Sequence, residues 1–186
     1  MRVETLVEKA KKLKEKGLST EEIADELNVS FETALWLLTR ATEVPPSDIY
    51  VEWRNVTKPS RLRFVASALV DLISEHFNNV EVVVGVAISG IPLASLVAEE
   101  LAAELAIYYP KKLNKGVLSE NFARVSGKNC IIVDDIISTG RTAREASEVV
   151  KASDGKVLGI AVVIDKKGSD EIDSVPVISL MKIVRI

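Results

Sequence analysis

The chain has 186 residues and a hydrophobic fraction of 47%, which is enough for one ordinary domain with a buried core plus a small extra module and excludes a largely disordered protein. Its net charge is −3, from 24 basic and 27 acidic side chains, so the total charge does not mark it as a nucleic-acid-binding protein, although local patches matter more. The apolar segment at residues 80–88, which contains Glu81, is too short to span a membrane, and no apolar signal-peptide core follows Met1. We therefore expect a cytoplasmic protein with no membrane partner.

The first predicted element is a helix over residues 4–16, where apolar residues recur at helical spacing between charged ones until Gly17 ends the pattern. Ser19 and Glu22 follow with the three-residue spacing of a capping box, which predicts the start of a second helix. This helix is short, because Asn28, a residue that tolerates a left-handed backbone, soon interrupts it.

A third helix is predicted from residue 31 to about residue 42. Two short helices joined by a tight turn are typical of a helix-turn-helix, in which the second helix enters the major groove of DNA. We therefore expect a DNA-binding domain over residues 1–43. Its groove-facing residues are predicted to be Ser30, Phe31, Glu32 and Thr33, and its phosphate contacts to come from Lys9, Lys11, Lys12, Lys14, Lys16 and Arg40.

The charge of this segment leaves a second interpretation open. Seven basic and eight acidic residues lie between Met1 and Arg40, which gives 7 − 8 = −1, whereas DNA affinity comes largely from counterion release by cationic side chains. A dimer would compensate by doubling the contacts, so we expect a homodimer. The alternative is a small helical bundle that serves for dimerisation or packs on the rest of the chain.

Two consecutive prolines, Pro45 and Pro46, end the helical segment, because proline lacks an amide donor and disfavours a helix in the residue before it. We place a linker at residues 44–47. Beyond it, Val-rich and Ile-rich runs alternate with helical patterns, which predicts an α/β fold over residues 48–186, a parallel sheet flanked by helices. The predicted strands are residues 81–88, 106–109, 130–133, 157–164 and 175–178, and the predicted helices are residues 61–77, 93–105 and 142–152.

The segment from Cys130 to Thr142 combines a buried strand, the adjacent carboxylates of Asp134 and Asp135, and a turn that opens a helix. Amides of such a turn and of the helix N-terminus form a cradle for a phosphate dianion, and Gly140 allows close approach of the backbone to the ligand. Two acids beside this cradle favour a ligand that also carries hydroxyl groups or Mg²⁺. A ribose 5-phosphate has that composition; the alternative is an ordinary strand-turn-helix corner without a ligand.

This segment resembles the phosphoribosyl-pyrophosphate (PRPP) binding motif of type I phosphoribosyltransferases across all thirteen positions. The resemblance implies the type I phosphoribosyltransferase fold, with the ribose hydroxyls on Asp134 and Asp135. It also implies that Mg²⁺ contacts both acids indirectly, through the ligand or water. The implied PRPP-binding residues are Asp134, Asp135, Ile136, Ile137, Ser138, Thr139, Gly140, Arg141 and Thr142.

Further segments resemble orotate phosphoribosyltransferases. Residues 87–94 resemble their pyrophosphate loop, which implies pyrophosphate contacts from Ile88, Ser89 and Gly90. Residues 50–54 resemble the Tyr-x-Asp stretch before their first long helix, and residues 165–168 resemble their Asp-Arg-x-x-Gly turn.

In that family, lysines of a mobile loop act with Mg²⁺ to neutralise the leaving pyrophosphate. The family pattern Lys-x-x-Lys-x-His-Gly, aligned on Gly116, falls on Pro110, Leu113 and Lys115. Positive charge is retained nearby but not at the family's positions, so we expect no efficient orotate chemistry. The candidate catalytic residues are Lys111, Lys112 and Lys115, which are equally consistent with a solvated basic loop.

The combination of an N-terminal helix-turn-helix with a phosphoribosyltransferase-like domain resembles the archaeal orotate phosphoribosyltransferase-like transcriptional regulators, the GfcR family. This resemblance implies a regulator that binds double-stranded DNA and whose second domain binds PRPP or a related ribose phosphate, with Mg²⁺, as effector. One alternative is a catalytic phosphoribosyltransferase of the orotate type, which forms a nucleotide 5′-monophosphate and pyrophosphate from PRPP and a base. Another is an RNA-binding enzyme.

Overall fold

The computed structural model describes residues 3–110 and 116–184 and divides into two compact units, Met1–Trp53 and Arg54–Ile186. The division lies later than the linker predicted at residues 44–47, because the segment after the prolines packs on the first unit. The amide of Ser30 donates to the Asp48 carboxylate at 2.5 Å, and Tyr50 packs against the helical core.

Three helices form the first unit: α1 (Val3–Glu15), α2 (Thr20–Leu27) and α3 (Phe31–Thr39). The predicted capping box is present at the start of α2. The Glu22 amide donates to Ser19 Oγ at 3.2 Å, and the Ser19 amide donates to the Glu22 carboxylate at 2.6 Å. Four amides at a helix start have no partner within the helix, so this reciprocal pair fixes where α2 begins.

The turn between α2 and α3 has the geometry that its sequence predicts. Asn28 adopts the left-handed conformation with φ 51°, and the Val29 amide donates back to the Ala24 carbonyl at 3.0 Å. Helix α3 ends at Thr39 instead of the predicted residue 42, because Arg40 turns left-handed with φ 51°. The core between the helices consists of Ala10, Ile23, Ala24, Leu27, Val29, Ala34, Trp36 and Leu37.

The second unit contains a seven-stranded sheet in the order β3-β2-β1-β4-β5-β7-β6. Its five central strands run parallel, as the buried Val and Ile runs predict, and the two edge strands are antiparallel to their neighbours. The edge strands were not predicted, because a two-residue strand has no periodicity. The strands are β1 (Val82–Val86), β2 (Glu104–Tyr109), β3 (Val117–Leu118), β4 (Asn129–Ile137), β5 (Lys156–Asp165), β6 (Glu171–Ile172) and β7 (Val175–Lys182).

Helices cover both faces of this sheet: α4 (Pro59–His76), α5 (Gly90–Leu101) and α6 (Arg141–Ala152). Buried residues of α6 pack on the face that carries Val82 and Val84 of β1. Gly85 points to the opposite face, where an added Cβ would lie 2.8 Å from the Cβ of Ala94 in α5. The fold class predicted from the sequence, an α/β phosphoribosyltransferase-like domain preceded by a small helical domain, is confirmed.

Two element boundaries differ from the prediction in ways that shape the site. Strand β4 continues through both acids to Ile137, so Asp134 and Asp135 lie within the strand and not beyond it. Helix α5 begins at Gly90, directly after the loop that follows β1. Within the described ranges, no helix combines the length and apolar character needed to cross a membrane.

Candidate ligand site and helix-turn-helix surface

The predicted ligand residues converge at the carboxyl ends of three neighbouring strands. Strand β4 pairs with β1 on one side and with β5 on the other, so the loops that follow these strands lie side by side. Ligands of open α/β sheets bind in this position. The sheet order therefore brings together the loop at residues 87–89, the twin acids, the turn at residues 138–140 and the turn at residues 166–168.

The predicted pyrophosphate loop touches both acids. Ser89 Oγ donates to Asp135 Oδ1 at 3.1 Å. A Cβ added to Gly90 would lie 2.8 Å from Asp134 Oδ1 and 3.0 Å from the Val133 carbonyl oxygen, so only glycine permits this approach. The sequence assigned the loop and the acids to one ligand, and the structure places them in direct contact.

The environment of the acids disfavours their charged form. Burial raises the pKa of Asp134 well above its usual range, and the charge of the adjacent Asp135 raises this pKa further. Burial also raises the pKa of Asp135, although hydrogen bonds from neighbours that include Ser89 oppose the change. Ribose hydroxyls or a cation would lower the pKa of both acids, because both interact best with ionised carboxylates.

The turn after β4 leaves backbone amides available at the start of α6. Gly140 takes the N-cap position of α6 with φ 81° and has no side chain to cap the helix, although Thr139 Oγ1 accepts from the Arg141 amide at 3.3 Å. The first-turn amides of a helix have no partner within it, and together with the positive end of the helix dipole they favour a phosphate. Ser138 Oγ, at the start of the same turn, is inaccessible to solvent and has no hydrogen-bond partner in the described part of the chain.

The turn after β5 borders the turn at residues 138–140, the predicted phosphate turn. The Lys166 amide donates to the Ile137 carbonyl at 2.8 Å. Buried Asp165 accepts hydrogen bonds from the amides of Lys167 and Gly168 at 2.8 and 3.0 Å, which fixes the shape of this turn. A Cβ added to Gly140 would lie 3.3 Å from Lys167 Cδ, so the Lys167 side chain passes over the phosphate turn. The sequence indicates only that this turn resembles the Asp-Arg-x-x-Gly turn of orotate phosphoribosyltransferases, and it predicts no ligand contact for Lys167.

The residues present fit an indirectly held Mg²⁺. The described residues contain no group of three or more His, Cys, Asp or Glu that would hold a metal by themselves. Two adjacent acids with raised pKa values instead match a cation that arrives with its ligand, since Mg²⁺ keeps most of its water and phosphate ligands. The candidate catalytic residues Lys111, Lys112 and Lys115 lie outside the described residues.

The predicted DNA-contact residues divide into two groups on α3. Ser30 caps the helix: its Oγ accepts from the Thr33 amide at 3.2 Å and donates to Thr33 Oγ1 at 2.9 Å. Thr33 is 8% exposed, so it faces inward and is removed from the predicted DNA surface. Phe31 and Glu32 are exposed, and Leu35, which was not predicted, joins them one turn further along the helix.

Arg40 lies at the end of the same helix. Its guanidinium stacks over the Trp36 ring at 4.2 Å from the ring centre, and the residue remains exposed. Stacking on an aromatic face leaves the guanidinium edge free for a phosphate contact.

Comparison with known proteins identifies both the fold and the family. The phosphoribosyl transferase domain model matches residues 52–185. An adenine phosphoribosyltransferase from Rhodothermus marinus shares the fold with a TM-score of 0.61 at 23% identity, over 76% of this chain and 90% of that one. An orotate phosphoribosyltransferase from Aeropyrum pernix gives a TM-score of 0.63 at 19% identity, over 76% of this chain and 82% of that one.

Relatives with higher identity cover both units. The transcriptional regulator GfcR of Archaeoglobus fulgidus is 63% identical over 100% of this chain and 99% of its own length. The transcriptional regulator GfcR of Methanosarcina mazei is 46% identical over 99% of this chain and 98% of its own length. The chain therefore belongs to the GfcR family of transcriptional regulators and contains a phosphoribosyl transferase domain.

Proposed function

We propose that this regulator binds double-stranded DNA through its N-terminal helices and that PRPP, or a related ribose phosphate bound with Mg²⁺, controls this binding. The observation that carries the proposal is the contact between the loop at residues 87–90 and the twin acids beside the N-terminus of α6. In this proposal the amides after Gly140 hold the 5-phosphate, and Asp134 and Asp135 hold the ribose hydroxyls.

Each part of the proposed ligand matches a feature of the site. The phosphate dianion matches the N-terminal amides of α6 and the unpartnered Ser138 hydroxyl. The pyrophosphate group matches the backbone of the loop that carries Ser89 and Gly90, which approaches the acids closely. Mg²⁺ would supply the charge that lets pyrophosphate lie beside two carboxylates.

A homodimer is part of the proposal. Residues 1–40 carry a net charge of −1, so one copy would gain little affinity from counterion release, whereas two copies would double the phosphate contacts. Helix-turn-helix dimers bind half-sites about one helical turn apart, so we expect a two-fold symmetric operator.

Isothermal titration calorimetry tests the ligand site directly. We expect PRPP with MgCl₂ to bind the full-length protein and the double variant Asp134→Ala/Asp135→Ala to lose this binding while circular dichroism shows an intact fold. Ribose 5-phosphate should bind more weakly than PRPP, because it lacks the pyrophosphate group. Undiminished PRPP binding by the double variant would show that the ribose lies elsewhere.

Catalysis is the competing function, because the phosphate turn and twin acids are the parts that a phosphoribosyltransferase would also need. Incubation with PRPP, Mg²⁺ and orotate should release no pyrophosphate above background, since the family's loop lysines are replaced at Pro110 and Leu113. Rapid release would identify an enzyme.

A further inference from the structure

The exposed face of α3 is apolar and acidic rather than basic. Phe31 and Leu35, one helical turn apart, are each 42% exposed. Glu32 and Thr39 are exposed beside them, whereas Thr33, Ala34, Trp36 and Leu37 are buried. The side chains available at the start of this helix are therefore a phenyl ring, a carboxylate and an isobutyl group.

We propose that this face reads pyrimidine edges in the major groove: Phe31 and Leu35 contact thymine methyl groups, and Glu32 accepts a hydrogen bond from a cytosine amino group. The inference rests on the proposed DNA-binding function and adds to it the chemical class of the operator. It predicts half-sites in which thymine and cytosine occupy the positions under the first two turns of α3.

The assignment follows from what each base pair presents in the major groove. Thymine exposes its C5 methyl group, which apolar side chains contact, and cytosine exposes an amino donor, which a carboxylate accepts. Guanine and adenine are read by Arg or Lys and by Asn or Gln. The exposed face at residues 31, 32, 35 and 39 carries none of these four types, and the predicted role of Arg40 beyond it is a phosphate contact.

A second copy of the chain is a less suitable occupant of this face. Aromatic side chains bury about 150–250 Å² each, so two side chains at 42% exposure offer on the order of 200 Å² at most. One partner in a standard protein interface contributes roughly 800 Å². A DNA base edge needs only a small contact, and residues at the start of a recognition helix are the ones that meet base edges.

The test uses the full-length protein and begins with selection of binding sites from a random pool of duplex DNA at low salt. Fluorescence polarisation then compares a selected site with versions in which single thymines are replaced by deoxyuracil, which removes only the methyl group. We expect about fourfold weaker binding for each contacted methyl group and no change at thymines outside the half-sites. Phe31→Ala should weaken binding to the thymine duplex, and at one thymine this variant should no longer distinguish thymine from uracil. Leu35→Ala should behave in the same way at a second thymine.

Phe64→Ala provides the matched control, because Phe64 is 77% exposed but belongs to the second unit. Sequence-selective binding that is insensitive to every methyl group would overturn the proposed readout while the DNA-binding function stands. Failure to enrich any sequence would overturn both. If the Phe31→Ala variant sediments as a monomer and still prefers thymine to deoxyuracil as the wild type does, the face is a protein interface instead.

Discussion

At the scale of single residues, the candidate ligand site combines two buried acids with a hydroxyl group that has no partner among the described residues. Asp134 and Asp135 are adjacent and largely buried, and burial raises the pKa of both. Ser138 holds a hydroxyl group that lacks a partner in the described ranges. Such groups lower the stability of a fold and recover that free energy when a ligand pairs with them.

Asp134→Asn should therefore stabilise the second unit at neutral and alkaline pH. A carboxyl with a pKa raised by folding contributes most to stability below its unfolded-state pKa, and this contribution is lost as pH rises through the folded-state value. We expect urea unfolding between pH 4 and pH 8 to show a steeper loss of stability in the wild type than in the variant, with the variant more stable at pH 8.

Asp170→Asn is the control for this experiment, because hydrogen bonding to Lys182 lowers the pKa of Asp170. The ionised Asp170 carboxylate therefore stabilises the fold, whereas the ionised Asp134 carboxylate destabilises it. Loss of this group should lower stability at pH 8, by a small amount because the pair is exposed. Equal pH profiles for the wild type and Asp134→Asn would contradict the assigned environment of Asp134.

Gly90→Ala should weaken PRPP binding at least tenfold. The new Cβ would lie 2.8 Å from Asp134 Oδ1 and 3.1 Å from Asp134 Cα, so the loop has to move away from the acids. Calorimetry measures the loss, and Ser89→Ala, which removes a hydrogen bond without adding bulk, should cost less. Unchanged affinity in Gly90→Ala would separate this loop from the ligand.

At the scale of elements, strand β5 packs closely against the residue that ends α4. A Cβ added to Gly159 would lie 2.2 Å from Phe77 Cζ, so the ring rests directly on the strand backbone. Strand β5 continues from this contact to Asp165, whose carboxylate shapes the turn beside the phosphate turn.

Gly159→Ala should lower the unfolding free energy by roughly 1–3 kcal/mol, the usual cost of overpacking a core. Thermal or urea unfolding measures the change. In the double variant Gly159→Ala/Phe77→Ala the clash is absent, so its loss should be smaller than the sum of the two single losses. Strict additivity would show that the ring and the strand do not touch.

The lysines of α1, and Lys16 directly after it, belong to the predicted DNA-contact surface in our account. Lys12→Gln and Lys16→Gln should each lower affinity about equally for all DNA sequences and reduce the slope of log affinity against log salt by about 1 per contact. Polarisation titrations at several salt concentrations measure both quantities. Lys9 should matter less, because it already pairs with Tyr50 and Glu52, and Lys156→Gln in the second unit is the control. An unchanged slope in Lys12→Gln would remove α1 from the interface.

Local rules predicted much of this arrangement. The Ser19 and Glu22 cap, the left-handed Asn28 and the turn at Gly140 each follow from residue chemistry within a few positions, and the structure contains all three. Contacts between distant segments did not follow in the same way. The hydrogen bond from Ser89 to Asp135, the Lys167 side chain over Gly140 and the packing of Asp48 on Ser30 depend on sheet order and tertiary packing, which no local pattern contains.

The residues predicted to contact DNA illustrate the same limit. Helical position alone placed Ser30 to Thr33 in the groove, but capping and burial use two of these side chains inside the first unit. Leu35 could have been predicted from its four-residue distance to Phe31, since both lie on one helix face.

At the scale of the whole molecule, regulation requires that the ligand bind the DNA-competent and DNA-incompetent arrangements with unequal affinity. The same coupling must act in both directions, so operator DNA has to change the affinity for PRPP by the factor by which PRPP changes the affinity for DNA. A protein with two working sites but no difference in ligand affinity between its states would bind both partners and regulate nothing.

The most direct test of the account is a polarisation titration of operator DNA with the full-length protein, with and without saturating PRPP and Mg²⁺. The account predicts a change in the dissociation constant of about 5- to 150-fold, the usual range of allosteric coupling, and predicts that Asp134→Ala/Asp135→Ala abolishes this change while leaving DNA binding in the absence of PRPP intact. An identical dissociation constant with and without PRPP, under conditions in which calorimetry shows PRPP bound, would contradict it.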